Sequence, residues 1–386
     1  MSFQFTFSTA GRIIFGKGAL AQVAPIAETY GKRVLVVMGR SIAQTAPLLE
    51  QFKLRRIDYA LFSVPGEPTV GLIEEALAKA RDFQPQAVIG MGGGSAVDAA
   101  KAISALYTNS GDILDYLEVI GAGKPLTQPP LPLIAVPTTA GTGSEVTKNA
   151  VLRSEAHRVK VSLRHERMLP AVAIVDPLLT LTVPPEVTAA TGLDAITQLI
   201  EPLVSMRANP FVDAICRQGL QMAASSLLAA VRDGSDETAR ENMSFAALCG
   251  GMALANAGLG AVHGFAGVIG GMFPAPHGAV CARLLPVVME ANIRALTQRE
   301  PLSPALIKYQ EIAVLLTGDP QASAAHGCAW IRDLCDQLNV PPLSVYGVTH
   351  GDVEPIVAQS IKASSMKANP IVLDLEALTA ILIEAL

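Results

Sequence analysis

Two glycine-rich stretches carry the bare backbone and hydroxyl side chains that could hold a phosphate-bearing ligand. In Ala87–Lys101, AVIGMGGGSAVDAAK, the residues Ala87, Val88, Ile89 and Gly90 suit a buried strand, and a helix with alanine at its small-residue positions follows Gly92, Gly93, Gly94 and Ser95. Three consecutive glycines remove every Cβ from the turn. Main-chain N–H groups can then approach an anion closely from a helix N-terminus, and a phosphate is the guest such a cradle fits. A bare turn between a tightly packed strand and helix would use the same glycines, so the stretch alone leaves both readings open. The second stretch, Pro137–Glu145 (PTTAGTGSE), offers three threonines and one serine that donate and accept hydrogen bonds, while Gly141 and Gly143 let the backbone wrap tightly. That chemistry suits gripping a sugar or a base, and a polar surface loop would share the composition.

The elements that must position these turns show as alternating patterns. Val34–Val37, Tyr59–Ser63, Leu133–Val136 and Ala171–Val175 are short apolar runs expected to be strands. Ala43–Phe52 and Ile73–Phe83 have helical spacing, the second with Glu74, Glu75, Lys79 and Arg81 mostly outward. Strand–helix alternation of this kind predicts an α/β domain with a Rossmann-like, mostly parallel sheet covered on both faces. Ligands of such sheets bind at the carboxyl ends of the strands, where Gly92–Ser95 and Pro137–Ser144 fall. From Pro184 the pattern changes to long helical stretches. Ala214–Val231, Asn242–Asn256 and Cys281–Leu296 read as helices, and the charged run Asp233–Asn242 (DGSDETAREN) as a solvated connection. A boundary between Asp176-Pro177 and Pro184-Pro185 then gives a dinucleotide-binding α/β domain over 1–182 and an all-helical domain over 183–386.

Composition narrows the function classes. The chain has 386 residues, half of them hydrophobic, and a net charge of −5, enough for two sizeable cores and without a basic field for nucleic acid or an anionic membrane. Five cysteines without CxxC spacing suit free thiols in a reducing cytoplasm. The N-terminus lacks the basic start and continuous apolar run of a signal peptide. Ser244–Ala282 is uncharged apart from its histidines but is broken by prolines and glycines, which fits a buried helix pair better than a bilayer span. Phe3, Phe5 and Phe7 alternate with polar residues as in a half-buried edge strand, through which a homodimer could form.

GGGSAVDAAK followed by PTTAGTGSEVT strongly resembles the iron-containing (group III) alcohol dehydrogenases, and the likeness runs through nearly the whole chain. The resemblance implies an N-terminal dinucleotide-binding domain, a helical C-terminal domain and a catalytic metal in the cleft between them. It implies that Gly92, Gly93, Gly94 and Ser95 hold the pyrophosphate of NAD(P) and that Thr138, Thr139 and Thr142 line the rest of the cofactor. Asn149 and Lys160 fall where the family has residues beside the cofactor, and Asp98 where it keeps an acid; a helix N-terminal acid satisfying the dipole would look the same. Relatives that prefer NAD usually carry an acid near Gly39. Here Gly39, Arg40 and Ser41 follow the strand, and guanidinium and hydroxyl both donate to a 2′-phosphate, which leans the expectation towards NADP.

The resemblance places the chemistry at GLDAITQLIE (Gly192–Glu201) and VHGFAGVIGGMFPAPHG (Val262–Gly278). Asp194 and Gln198 are four apart and share a helix face, with Glu201 one turn further along. His263 opens a helix, and His277 follows the Pro274-Ala275-Pro276 turn. Carboxylate and imidazole with an open position suit Fe²⁺ or Zn²⁺, so Asp194, Gln198, His263 and His277 are the expected metal ligands. Two positions depart from the family. Gln198 stands where the usual set of one Asp and three His has an imidazole, and its amide oxygen is a neutral, weaker donor. Gly267 stands where many relatives have a second helical histidine that relays protons. His157, His165, His326 and His350 are not assigned to that role.

The expected reaction is hydride transfer between a small alcohol or aldehyde and the nicotinamide, with the metal as Lewis acid on the substrate oxygen and Asp194, His263, His277 and Lys160 as the catalytic set. Gly270–Phe273 (GGMF) is also similar to maleylacetate reductases of the same superfamily, which keeps a keto-acid reductase with little metal dependence as an alternative. A non-catalytic dinucleotide-binding protein is a third reading.

Overall fold

The computed structural model describes residues 4–157 and 159–386. The chain forms two compact units: Thr9–Thr139 with Gly143–Thr182, and Val183–Leu386 with Ala140–Thr142 and the segment ending at Ser8.

The first unit is built on a six-stranded sheet of β1 (Ile13–Phe15), β2 (Arg33–Met38), β3 (Asp58–Ser63), β4 (Ala87–Gly92), β5 (Leu133–Pro137) and β8 (Val172–Val175). Its order is β1-β8-β5-β4-β2-β3 and every pairing is parallel. The central strands are continuous apolar runs because both faces are covered. In β2, Leu35 and Val37 pack with α3 (Val70–Phe83) and α4 (Gly94–Thr108). Val34 and Val36 pack with α1 (Val23–Tyr30) and α2 (Ile42–Arg55) on the opposite face. After β3 the chain crosses back over β2 to form β4, so the strand order reverses between β2 and β4. Crevices for ligands open at such a switch point. Register puts Met38 opposite Met91 and Gly92 opposite Pro137, which brings the turns after β2, β4 and β5 to one edge.

A short helix, α5 (Ile113–Tyr116), and an antiparallel hairpin of β6 (Asn149–Ser154) and β7 (Val159–Arg164) complete this unit. The hairpin, like β1, has no counterpart in the sequence reading. It packs Ala150, Leu152, Val161 and Leu163 into the same core as α4.

The second unit is helical: α6 (Pro185–Val204), α7 (Pro210–Arg232), α8 (Glu237–Ala257), α9 (Ala261–Met272), α10 (His277–Arg299), α11 (Pro304–Thr317), α12 (Ala324–Gln337), α13 (Val353–Ser360) and α14 (Leu375–Ala385). Its core runs through Leu193, Ile196, Leu199 and Leu203 of α6. Glycine lets the helices approach: a Cβ on Gly219 of α7 would sit 2.6 Å from the Leu199 side chain and 3.0 Å from that of Cys249.

Two expectations are corrected. The charged run Asp233–Asn242 is mostly the start of α8 rather than a connection, because the Asp236 side chain caps the helix by accepting from Ala239 N. Arg240 is buried in the process, donating to Gly234 O, Thr188 Oγ1 and Val183 O. Secondly, residues 4–10 form no strand. Phe7 packs edge-on against Phe211, ring centroids 4.6 Å apart, and Ser8 pairs with Asn256 in both directions; Phe3 lies outside the described residues. Among the described residues no single helix is long and apolar enough to cross a membrane, and α8 and α9, which pass that test together, meet at a 98° bend.

Candidate active site

The helical unit gathers Asp194 and Gln198 from α6, His263 from the first turn of α9, and His277 and Cys281 from the first two turns of α10. A proline-rich turn ends at Pro276, and proline suits the approach to a helix start, so α10 begins on His277 itself. The start of α9 is held by long-range acceptors. Gly260 offers no side-chain cap, and Ala261 N donates to Asn369 Oδ1 at 3.1 Å while Val262 N donates to Glu201 Oε1 at 2.7 Å. The other Glu201 oxygen lies 2.7 Å from His263 Nδ1, which orients the ring and leaves Nε2 turned into the cluster.

Within the cluster, His263 Nε2 and Asp194 Oδ1 are 3.3 Å apart, and His277 Nε2 and Asp194 Oδ1 are 3.9 Å apart. Asp194 and Gln198 are each 2% exposed, yet Asp194 Oδ1 and Gln198 Oε1 find no hydrogen-bond partner. A buried acceptor without a donor costs about 1–3 kcal/mol; a cation among Asp194, His263 and His277 would satisfy Asp194 Oδ1. The residues present therefore fit a divalent metal. Burial pushes the Asp194 carboxyl up, but His263 and His277 outweigh it and hold the group below the ordinary carboxylate range. Burial opposes the charge on His263, while Cys281, Asp194 and Glu201 raise it well above the ordinary imidazole value. Cys281 is also the main influence raising His277, against its burial.

In the α/β unit the structure brings Gly39, Gly92, Gly93, Thr138 and Thr139 together. Gly39 N donates to Met91 O at 3.3 Å and Thr138 N to Gly92 O at 2.9 Å. A Cβ on Gly92 would meet Ala96 Cβ at 2.7 Å and Gly39 N at 3.1 Å, and one on Gly93 would meet Thr139 Oγ1 at 3.5 Å. No side chain caps α4, and its first N–H groups, at Gly94 and Ser95, stand directly after the carboxyl end of β4. Arg40 and Ser41 are exposed at the end of β2, with Arg40 Nε donating to Pro65 O.

Asp98 is occupied by the protein. It accepts from Ser144 Oγ, from Val151 N at 3.0 Å and from Lys101 Nζ at 3.4 Å. The fully buried Lys101 also donates to Ser144 Oγ, Thr147 Oγ1 and Asn149 O, and burial drives its pKa down. This network ties α4 to the stretch after β5 and to the hairpin. Lys160 pairs with Glu67, and Thr142 belongs to the short segment grouped with the helical unit. His157 pairs with Ser154, His165 caps Arg167 N, and His326 closes a capping box with Ser323.

Residues 10–177 match the family described as iron-containing alcohol dehydrogenase, and residues 188–386 match the Fe-containing alcohol dehydrogenase family, C-terminal. The chain belongs to the iron-containing alcohol dehydrogenase family. Alcohol dehydrogenase 4 of Saccharomyces cerevisiae is 33% identical over 377 residues, covering 96% of each chain. Among solved structures, a 1,3-propanediol oxidoreductase superposes with a TM-score of 0.92 at 32% identity over the full length of both chains. A sulfoacetaldehyde reductase from Bifidobacterium kashiwanohense, solved with NAD⁺, superposes at 0.87 with 27% identity, covering 100% of this chain and 99% of the other. Membership of the iron-containing alcohol dehydrogenases implies a metal and a nicotinamide cofactor, and small alcohols or aldehydes as substrates.

Two residues of the site escaped the sequence reading of its chemistry. For Glu201 the signal is its spacing of seven from Asp194, which puts it on the same helix face. For Cys281 the signal is its place four residues after His277, one turn along the same helix.

Proposed function

We propose that the chain is a metal-dependent, NAD(P)-linked alcohol dehydrogenase or aldehyde reductase for small substrates, with NADP preferred and Fe²⁺ or Zn²⁺ held by Asp194, Gln198, His263 and His277. The observation that carries this reading is the orphaned buried oxygen Asp194 Oδ1, 3.3 and 3.9 Å from two imidazole nitrogens, with the likewise orphaned Gln198 Oε1 one turn along the same helix. A divalent ion bound there supplies Lewis-acid stabilisation of charge on the substrate oxygen while hydride passes between the substrate carbon and the nicotinamide.

The side chains divide the remaining work. Glu201 keeps His263 oriented through Nδ1. The N–H groups at Gly93, Gly94 and Ser95 bind the pyrophosphate, and Gly92 keeps the turn open for it. Thr138, Thr139 and Thr142 grip the rest of the cofactor, with Asn149 and Lys160 beside it. Asp98 contributes by holding Ser144 and the hairpin in place. Arg40 and Ser41 donate to a 2′-phosphate, in a stretch that carries no acid. Gly267 leaves open space where a Cβ would meet nothing within 4 Å, and the proton of the alcohol leaves through water or the nicotinamide ribose rather than through a histidine at that position.

The test is nicotinamide turnover with short aldehydes and alcohols, comparing protein loaded anaerobically with Fe²⁺ or Zn²⁺ against chelated protein. Turnover that needs metal and favours NADPH supports the reading, and equal turnover after chelation overturns its metal part. In Arg40→Ala, loss of a charge-assisted bond of about 1.5 kcal/mol or more should weaken NADPH about tenfold and leave NADH unchanged.

A further inference from the structure

Of the five cysteines, Cys281 alone is placed by the structure among metal-ligating atoms. Cys249, Cys328 and Cys335 sit where burial pushes the thiol up to about 12, and Cys216 is buried in the helical core; such thiols are inert packing. Cys281 Sγ instead lies 3.8 Å from His263 Nε2 and 3.7 Å from His277 Nε2. Together with the Asp194 carboxylate, these donor atoms all lie within 4.8 Å of one another. A tetrahedral ion with bonds of about 2.0–2.3 Å has ligand-to-ligand edges of about 3.3–3.8 Å. The His263–Asp194, His263–Cys281 and His277–Cys281 separations of 3.3, 3.8 and 3.7 Å fall within those edges, and His277–Asp194, at 3.9 Å, lies just beyond them.

We infer that Cys281 is a metal ligand, its thiolate completing a donor set with Asp194, His263 and His277. The inference rests on the metal reading above and deepens it. Two independent observations converge on this point in space: the sulfur faces two imidazole nitrogens, and the buried Asp194 Oδ1 has no partner. The chain thereby supplies a strong anionic donor in a site where Gln198 offers only a neutral amide oxygen. On binding, the Cys281 S–H bond breaks, a sulfur–metal bond forms and the proton leaves to solvent, with no change of oxidation state. One carboxylate and one thiolate neutralise a divalent ion, and the soft sulfur favours Zn²⁺ or Co²⁺ over hard cations. Gln198 remains as a further weak oxygen donor beside the set.

Full-length protein is loaded anaerobically with Co²⁺ alone and its absorption recorded. The expected spectrum combines visible ligand-field bands with an intense near-ultraviolet sulfur-to-cobalt band. In Cys281→Ser the near-ultraviolet band should vanish while the ligand-field bands persist. Bound cobalt without that band in the wild type, or a band unchanged in Cys281→Ser, would overturn the inference and leave the metal site standing. Failure of the wild type to retain Co²⁺ or Zn²⁺ in equilibrium dialysis would sink the metal reading itself. Should Cys281→Ser lose its fold or its metal, X-ray absorption of the wild-type Zn²⁺ protein decides alone. One sulfur neighbour at about 2.3 Å is expected, and a shell of only nitrogen and oxygen overturns it.

Discussion

Glu201 and His263 form the hinge between the scaffold and the chemistry of this site. One Glu201 oxygen lies 2.7 Å from His263 Nδ1 and the other accepts from Val262 N at 2.7 Å, so a single carboxylate fixes both the imidazole orientation and the first turn of the helix that carries it. Partners of this kind set ligand orientation as firmly as the ligands set the metal.

Glu201→Gln keeps the size of the side chain but removes its charge. Zn²⁺ affinity by equilibrium dialysis should fall about 10- to 100-fold. Unchanged affinity would mean that His263 is oriented by packing alone.

Gly260→Ala acts on the same carboxylate from outside the site. The new Cβ would lie 2.8 Å from Glu201 Oε1 and 2.9 Å from Asn369 Oδ1, and overpacking of this kind costs about 1–3 kcal/mol. Urea unfolding should show that loss together with weaker Zn²⁺ binding. A loss of stability with full metal affinity would separate Gly260 from the site.

Gly92→Ala should damage the cofactor side while sparing the metal. Its Cβ would meet Ala96 Cβ at 2.7 Å and Gly39 N at 3.1 Å, forcing apart the turns after β2 and β4. NADPH affinity by fluorescence titration should drop by on the order of tenfold, about 1.4 kcal/mol, with Zn²⁺ affinity unchanged.

Gly267→Ala should stabilise the protein. The residue sits inside α9 with nothing within 4 Å of an added Cβ, and glycine within a helix costs about 0.5–1 kcal/mol relative to alanine. A thermal midpoint that falls instead would show that the space is filled.

Glu145 makes stability depend on pH. Burial lifts its carboxyl from 4.5 to about 7 against the nearby Lys101 charge, so the folded chain keeps the proton over a range where the unfolded chain has lost it. That contribution is complete below 4.5 and is lost as pH rises through about 7, on the order of 3 kcal/mol. Urea midpoints at acidic and mildly alkaline pH should differ for the wild type, and the difference should shrink in Glu145→Gln. Equal slopes in both proteins would remove Glu145 as the cause.

Features that depend on neighbours along the chain are legible in the order of residues alone. The apolar runs of β2, β4 and β5, buried on both faces, and the glycines after them are local features, so the parallel sheet and its glycine-rich turn were readable. Asp194 and Gln198 share a face because a helix returns every four residues. Tertiary structure decided the rest. The charged run at 233–242 became the start of α8 because Asp236 caps it and Arg240 finds acceptors as far away as Val183 and Thr188, none of which composition encodes. The β6–β7 hairpin is tied to Asp98 and Lys101, more than forty residues upstream of the groups they bind. Cys281 meets His263 only because α9 and α10 fold back on each other around the Pro274–Pro276 turn, bringing side chains 18 residues apart to 3.8 Å. Spacing along a chain determines which residues share a surface, while the packing of those surfaces determines which donor atoms meet.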